Sequence, residues 1–249
     1  MALFAIADLH LSSVSGKPMD KFGPRWTGYM EKINKKWNAV VSAGDTVIIP
    51  GDISWAMSLK EAEQDLRFID SLPGNKILIR GNHDYWWSSV KKINDTIKAL
   101  GLESIKIIQN DSLETESCIV CGSRGWFTDR KLQPQEENHD YDKIVMREVQ
   151  RIRLSGTEAT RMFLKANKPV IAFLHFPPVY GEFVCRPIVD VLHECGISRC
   201  FYGHIHGDYY IKPSFEYENI KFEIVSADYL EFTPKKIIIE EPSAVTDIQ

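Results

Sequence analysis

Residues 3–10 read Leu-Phe-Ala-Ile-Ala-Asp-Leu-His, a short apolar run that ends in two polar side chains, Asp8 and His10. Five apolar residues bounded by polar ones are typical of a buried strand. On extended backbone the side chains of residues i and i+2 lie on the same side, so Asp8 and His10 can converge on one ligand. The stretch therefore predicts a strand that carries a carboxylate and an imidazole to one site.

Four more apolar runs end in the same way. The predicted strand Thr46–Pro50 is followed by Gly51-Asp52, and Lys76–Arg80 is followed by Gly81-Asn82-His83-Asp84. Pro169–Leu174 is followed by His175, and Arg199–Tyr202 is followed by Gly203-His204-Ile205-His206. Five of the 7 histidines occupy such positions. Ligands of open α/β sheets gather beyond the carboxyl ends of the strands. We therefore expect these side chains to meet in one site.

The rest of the chain predicts an α/β fold, because apolar runs alternate with amphipathic segments. Helical spacing is found at Trp26–Val41, from Ser58, at Val90–Leu100 and at Pro187–Cys195. Further strands are predicted at Ile105–Gln109, Ser117–Cys121, Asp208–Ile211, Lys221–Val225 and Lys236–Glu240. The polar segment 127–168 interrupts this alternation. We interpret it as a cap or insertion that lies on the sheet, within a single domain of residues 1–249.

Composition narrows the function classes. A formal charge of −4 without a basic stripe disfavours a protein whose main function is to bind nucleic acid. A nuclease remains an alternative. No apolar run approaches the ~20 residues of a membrane span. The 5 cysteines are an odd number, which suits a reducing compartment, and the cytoplasm is the expected location. Cys118 and Cys121 lie on a predicted strand, where residues three apart face opposite sides and chelate poorly.

The side chains at the strand ends indicate the kind of ion that they could bind. They are carboxylates, imidazoles and an amide, without a thiolate. Such ligands suit divalent or trivalent ions such as Mn, Fe, Zn or Co, and the residue types do not select among these. The pairs Asp8/His10 and His204/His206 can each converge on one ion or on two neighbouring ions.

The ordered set of motifs D-x-H, G-D, G-N-H-D, H and G-H-x-H resembles that of the calcineurin-like metallophosphoesterase superfamily. The five blocks span residues 8 to 206 and so cover most of the chain. The resemblance implies a four-layer α/β/β/α sandwich, in which two mixed sheets face each other and the metals lie at the carboxyl ends of the strands.

The resemblance also assigns roles to single residues. It puts four ligands around one ion, namely Asp8, His10, Asp52 and His206. It puts four around the other, namely Asp52, Asn82, His175 and His204, so that Asp52 is shared. His83 would lie beside the leaving group and be held by Asp84. The implied reaction is hydrolysis of a phosphate mono- or diester by a hydroxide that bridges the two ions.

The substrate is less well defined. Gly51-Asp52-Ile53-Ser54-Trp55 lacks the Asp-Arg pair of the protein Ser/Thr phosphatase branch, so a small organic phosphate or a nucleotide is the leading interpretation. Arginines and tryptophans near the motifs are the candidates to contact it, namely Arg80, Trp86, Arg124 and Trp126, with Trp55, Trp87 and Arg186 as further ones. A nuclease remains an alternative, as does a scaffold that binds metal without catalysis. Such a scaffold would lack a ligand or His83, and here none is missing.

Overall fold

Short apolar runs form the strands of the protein. The computed structural model describes residues 1–17, 19–126 and 138–239, of which 138–140 are described by their backbone alone. In this part the strands are β1 (Leu3–Ala5), β2 (Thr46–Pro50), β3 (Asn75–Ile79), β4 (Ile105–Ile108), β5 (Ser112–Glu114), β6 (Ile119–Ser123), β7 (Val170–Leu174), β8 (Val179–Tyr180), β9 (Phe183–Val184), β10 (Arg199–Tyr202), β11 (Ser214–Tyr217), β12 (Ile220–Ile224) and β13 (Lys235–Ile237).

Two mixed sheets account for most of these strands. The first has the order β13-β1-β2-β3-β4, and the second has the order β11-β12-β10-β7-β6-β5. Strands β1 to β4 are parallel to one another, as are β12, β10, β7 and β6. The edge strands β13, β5 and β11 run antiparallel to their neighbours. Strands β8 and β9 form a separate hairpin.

The helices cover the outer faces of the sheets. They are α1 (Tyr29–Val40), α2 (Leu59–Ser71), α3 (Val90–Ala99), α4 (Asn138–Ala166) and α5 (Arg186–Glu194), with 3₁₀ turns at Met19–Phe22 and Pro24–Trp26. Helices α1, α2 and α3 share a core with the first sheet, and α4 and α5 share one with the second. Helix α2 begins at the predicted capping residue, because the Ser58 hydroxyl accepts a hydrogen bond from the Glu61 N–H.

A third apolar layer lies between the sheets, and strand periodicity explains it. In β7, Ile171 and Phe173 point into this layer, whereas Ala172 and Leu174 face the helices. Phe173 stacks on Phe201 of β10, with 5.1 Å between the ring centres. Four layers follow, in the order helices, sheet, sheet and helices, and the predicted α/β/β/α sandwich is confirmed.

One predicted strand, Asp208–Ile211, is wrong. Its residues form a loop beside the site, where Tyr209 donates a hydrogen bond to Asp228 and Tyr210 is exposed. The strand next to β12 is β11 instead, and the two are joined at Glu218 and Asn219, which both have positive φ. Two successive positive φ angles are typical of a tight two-residue hairpin turn. Asn-Gly is a more common sequence for such a turn than Glu218-Asn219.

The predicted cap at 127–168 lies partly outside the described residues, since 127–137 are not among them. Residues 138–166 form α4, whose Val145, Val149 and Ile152 are buried against the second sheet and α5. The single domain and the cap remain predictions. No helix of the described ranges combines the length and the apolar character that crossing a membrane requires.

Candidate metal centre

The predicted site residues meet where the carboxyl ends of five strands come together. Backbone hydrogen bonds tie these ends to one another. The Asp8 N–H donates to Gly51 O at 2.9 Å and the His10 N–H to Asp52 O at 2.9 Å, which join the ends of β1 and β2. In the second sheet, the Gly203 N–H donates to His175 O at 3.0 Å. The site is thus held by main-chain contacts of the two sheets.

Two sets of potential ligand atoms lie in this site. The first ligand group is Asp8, His10 and His206, and the second ligand group is Asp52, His175 and His204. Within each group the ligand atoms all lie within 4.8 Å of one another. In the first group, Nε2 of His206 is 3.2 Å from Nε2 of His10 and 3.6 Å from Oδ1 of Asp8. All six are among the side chains that the sequence predicts to meet in one site.

Asp52 lies between the two groups. Its Oδ2 is 3.5 Å from Nε2 of His175 in its own group and 3.7 Å from Nε2 of His10 in the other. Its other oxygen, Oδ1, accepts the His83 N–H at 2.8 Å. Asn82 lies on the side of the second group, with its Oδ1 2.6 Å from Nε2 of His175.

The side chains of the centre fit metal ions. Asp8, His10, Asp52 and His175 are almost completely buried, and Oδ1 of Asp8 has no hydrogen-bond partner in the described part of the chain. A buried carboxylate oxygen without a donor is costly unless a cation neutralises it. Nitrogen and oxygen ligands of this kind match the divalent transition ions. A cation at each group would therefore satisfy side chains that otherwise face one another unfavourably.

Burial and neighbouring charge set the protonation of the histidines. Burial lowers the pKa of His10 and of His175 well below the usual value. Burial, and then His175, lower the pKa of His204 to about 3. These imidazoles are therefore neutral at pH 7, which is the form that binds a metal.

His206 behaves in the opposite way. Burial acts to lower its pKa, but the Asp8 carboxylate and the hydrogen bond to Asp228 outweigh burial and raise the pKa to about 10. The same environment raises the pKa of Asp52 through burial and through repulsion by Asp8. The attraction of Asp8 and Asp228 for the His206 imidazolium and the repulsion between Asp8 and Asp52 both favour a positive charge in the middle of the site.

The backbone is strained at the centre. Asp8, His10, Asp52 and His204 all have φ between 46° and 70°, in the left-handed region that non-glycine residues rarely adopt. Such residues cost roughly 1–3 kcal/mol each and persist where the surrounding structure fixes them, as at binding sites. The surrounding structure therefore holds these four residues in a backbone conformation that is unfavourable for them.

Two glycines of the motifs are required by close packing. A Cβ atom on Gly81 would lie 2.2 Å from Oδ1 of Asp52, and a Cβ atom on Gly203 would lie 2.6 Å from Oδ2 of Asp8. No side chain fits at such distances, so each glycine allows the neighbouring carboxylate to reach the centre.

A model of the calcineurin-like phosphoesterase family matches residues 1–208. The chain belongs to this family. It is therefore a metal-dependent phosphoesterase. No curated protein sequence matches the chain. Among solved structures, it is similar to the phosphopantetheinyl hydrolase PptH from Mycobacterium tuberculosis, with 14% identity, 96% coverage of both chains and a TM-score of 0.53. It is also similar to TT1561 from Thermus thermophilus, with 11% identity, coverage of 96% of this chain and 98% of that one, and a TM-score of 0.50. At these identities the likeness concerns the fold alone.

In this phosphoesterase, His83 lies at the edge of the centre. Its ring is 4.4 Å from the Trp55 ring and 5.7 Å from the His10 ring, measured between ring centres. Its Nδ1 is 3.4 Å from the Tyr85 hydroxyl. Burial lowers its pKa below the usual value. The imidazole is therefore close to the first ligand group and predominantly neutral at pH 7.

Asp84 does not hold the His83 ring, contrary to expectation. Its Oδ1 accepts hydrogen bonds from the Ile53 N–H, the Ser54 N–H and the Trp86 indole, at 2.9, 3.2 and 3.0 Å. Its Oδ2 accepts the Gly81 N–H at 2.7 Å. Within the described residues these four donors account for both oxygens. Asp84 thus fixes the turns after β2 and β3, and it acts on the centre through the backbone.

Asp228 was missed by sequence reasoning. It is completely buried, and its Oδ1 lies 2.8 Å from Nδ1 of His206. Its Oδ2 accepts the Gly207 N–H and the Tyr209 hydroxyl, both at 3.1 Å. A carboxylate in this position keeps the proton on Nδ1 and directs Nε2 towards the centre. Asp228 follows β12, so the rule that found the other site residues, a polar side chain after a predicted strand, applies to it as well.

Three of the predicted substrate contacts lie away from the centre. Trp86 is wrong as a contact, because it is 2% exposed in the core with its indole bonded to Asp84. Trp87 is likewise buried and donates to Gln109. Arg186 is also wrong, since it lies on the surface and pairs with Glu218 and Asp190.

Four other candidates lie near the centre. Trp55 packs its ring on His10, with 4.9 Å between ring centres. Trp126 is partly buried, 5.7 Å from the Phe176 ring and 5.4 Å from the Arg124 guanidinium. Arg124 and Arg80 line a small hollow between β3 and β6. These four remain predictions as substrate contacts.

Proposed function

We propose that this phosphoesterase works with two metal ions and hydrolyses mono- or diesters of small organic phosphates, nucleotides among them. The observation that carries the proposal is the position of Asp52. Its Oδ2 is 3.5 Å from His175 and 3.7 Å from His10, so one carboxylate oxygen is within reach of both ligand groups. A site for a single ion would not need two groups with a common carboxylate.

Each ligand group would hold one ion, with Asn82 added to the second group and Asp52 shared. Mn, Fe, Zn or Co would suit these donors. Bound ions would supply a nucleophile at neutral pH by lowering the pKa of water, and they would neutralise the charge on the phosphoryl oxygens. The protein contributes the placement of these groups and the exclusion of bulk water around them.

His83 is proposed to assist the leaving group. Its backbone N–H is bonded to Oδ1 of Asp52, which fixes the imidazole relative to the ligand groups. Tyr85 and Trp55 restrict the orientation of the ring. An imidazole in this place could hydrogen-bond the leaving oxygen and pass it a proton, which contributes typically ~10²–10⁴-fold to the rate.

Tryptophans keep one wall of the centre dry. Trp26 and Trp55 are 2% and 7% exposed, and both rings lie against His10. An apolar wall lowers the local dielectric constant, and this strengthens the attraction between the carboxylates and any charge at the centre. The arrangement supports electrostatic stabilisation of the transition state as the main source of catalysis.

Metal-stripped and reconstituted protein should be tested on generic mono- and diester chromogens. A panel of nucleotides, sugar phosphates, phosphopeptides and single-stranded DNA would follow. We expect hydrolysis of small esters that is abolished by chelation and restored by a transition ion. Hydrolysis that persists after complete metal removal would contradict the proposal, and cleavage of DNA alone would favour the nuclease alternative.

The same proposal includes the location. All five cysteines are unpaired thiols, which supports a reducing compartment, and we propose the cytoplasm.

A further inference from the structure

Three arginines lie together next to the metal centre. Arg80 follows β3, Arg124 follows β6 and Arg151 belongs to α4, and all three line one small hollow together with Gln109 and Asn110. Positive charges repel one another, so such a cluster is unfavourable unless negative groups compensate it.

In the described part of the chain, one carboxylate is in direct contact with this cluster. Glu148 of α4 is buried, and its Oε1 lies 3.2 Å from Nη2 of Arg124 and 2.7 Å from Nη1 of Arg151. Its Oε2 accepts the Ser123 hydroxyl at 2.8 Å. Among the described residues, Arg80 forms neither a hydrogen bond nor an ion pair. Within the described residues, Glu148 thus pairs with two of the three guanidinium groups, and Arg80 has no ion pair, although the buried Asp84 carboxylate also attracts it.

Donor atoms of the cluster are also unused. The Nε atoms of Arg80 and Arg124 are buried, and neither has a hydrogen-bond partner within the described ranges. Buried donors of this kind favour an acceptor that enters from outside. The hollow measures about 30 Å³, so it admits one or two oxygen atoms while the rest of the ligand stays at its mouth. Oxygens of an anion would satisfy both requirements, charge and hydrogen bonding, and a guanidinium matches phosphate geometry well.

The cluster is connected directly to the metal centre. Arg80 precedes Gly81 and Asn82 in the chain. On the second sheet, the His175 N–H donates to Ser123 O at 3.4 Å and the Phe176 N–H donates to Arg124 O at 2.8 Å. The residues of the hollow are thus joined through the backbone to the second ligand group, and Arg124 is close enough to His175 to contribute, after burial, to the lowering of its pKa.

We infer that Arg80, Arg124 and Arg151 form a subsite for a second phosphate group of the substrate, while the phosphate to be hydrolysed lies at the metal centre. The inference rests on the proposed function and narrows it to small molecules with two phosphates. Glu148 orients Arg124 and Arg151 in this arrangement, and Arg80 provides the unpaired charge.

Neighbouring arginines on α4 provide a matched test. Arg151 and Arg153 have equally exposed side chains, 39% each, but Arg153 pairs with Glu194 outside the hollow. We expect Arg151→Gln and Arg80→Gln to lower the ratio of kcat/KM for glucose 1,6-bisphosphate to that for glucose 6-phosphate by about 10- to 100-fold, as for a lost charged hydrogen bond. Arg153→Gln should leave this ratio unchanged. An equal decrease for both substrates, or no decrease, would overturn the inference.

A binding measurement separates this inference from the proposed function. Calorimetric titration of the metal-loaded protein with inorganic phosphate should show one more bound equivalent in the wild type than in Arg80→Gln. If the wild type hydrolyses no phosphate ester, the proposed function fails, yet this count still reports on the arginines. Equal counts in the two proteins would refute the subsite. A lost equivalent with an unchanged substrate ratio would show a site for free phosphate and would overturn the assignment to the substrate.

Discussion

Asp228 offers the sharpest test of how the first ligand group is held. Its carboxylate is completely buried and accepts three hydrogen bonds, from Nδ1 of His206, the Gly207 N–H and the Tyr209 hydroxyl. The first of these fixes the tautomer in which Nε2 of His206 faces Asp8 and His10. Removing the carboxylate should therefore weaken metal binding, although Asp228 lies outside both ligand groups.

The size of the effect follows from the bond to His206. A hydrogen bond to a charged group contributes about 1.5–3 kcal/mol, and a neutral one about 0.5–1.5 kcal/mol. Asp228→Asn exchanges the first kind for the second and should lower metal affinity by about 5- to 10-fold. Asp228→Ala removes the bond completely and should lower the affinity by about 10- to 100-fold, as is typical for the outer partner of a metal-binding histidine.

Metal affinity should be measured by competition with a chelator of known affinity, together with kcat/KM on the same samples. Asp190→Asn is a suitable control, because it removes the same charge from an exposed ion pair with Arg186. We expect one ion to be lost at low free metal in the Asp228 variants and recovered at high free metal. Wild-type affinity for both ions in Asp228→Ala would refute the reasoning about His206.

Three further predictions concern His83, Gly81 and Lys76. His83→Ala should lower kcat by about 10²–10⁴-fold with unchanged metal content, and loss of metal would instead show that His83 is a ligand. Gly81→Ala should lose metal or fail to fold, because its Cβ would lie 2.2 Å from Asp52, whereas Gly44→Ala, with only ordinary contacts to Met1, should behave as the wild type in metal content and melting temperature. Burial lowers the pKa of Lys76 to about 8, below its unfolded value near 10.4. Between these two pH values the unfolded chain binds more protons than the folded one. The free energy of unfolding should therefore rise with pH in this range, by on the order of 1–3 kcal/mol. Urea unfolding at pH 7.5 and about pH 10 should show this rise in the wild type but not in Lys76→Met. The same change in the free energy of unfolding between the two pH values in both proteins would contradict the prediction.

The metal ligands could be predicted from sequence because each follows a strand that has a strong local signal. Val47, Ile48 and Ile49, for example, are apolar on both faces of β2, as expected for a strand between two packed layers. Parallel strands of one sheet bring their carboxyl ends to the same edge, and so Asp8 and Asp52 meet without further information.

Contacts that depend on tertiary packing could not be predicted in this way. Trp86 is adjacent to a motif, yet its indole lies in the core, where it donates a hydrogen bond to the buried Asp84. Glu148 and Arg151 join Arg124 only because α4 packs along β6, and no spacing in the sequence reveals that packing. The segment Asp208–Ile211 has the composition of a strand, but β11 occupies the edge next to β12.

The number of metal ions per chain tests the central claim most directly. Reconstituted protein should be freed of loosely bound metal, and the remainder counted by atomic spectroscopy. We expect two ions in the wild type, about one in His10→Ala or His204→Ala, and fewer than one in Asp52→Asn, because that variant changes the carboxylate within reach of both groups. One ion in the wild type, or two retained by Asp52→Asn, would contradict a pair of ions that share Asp52.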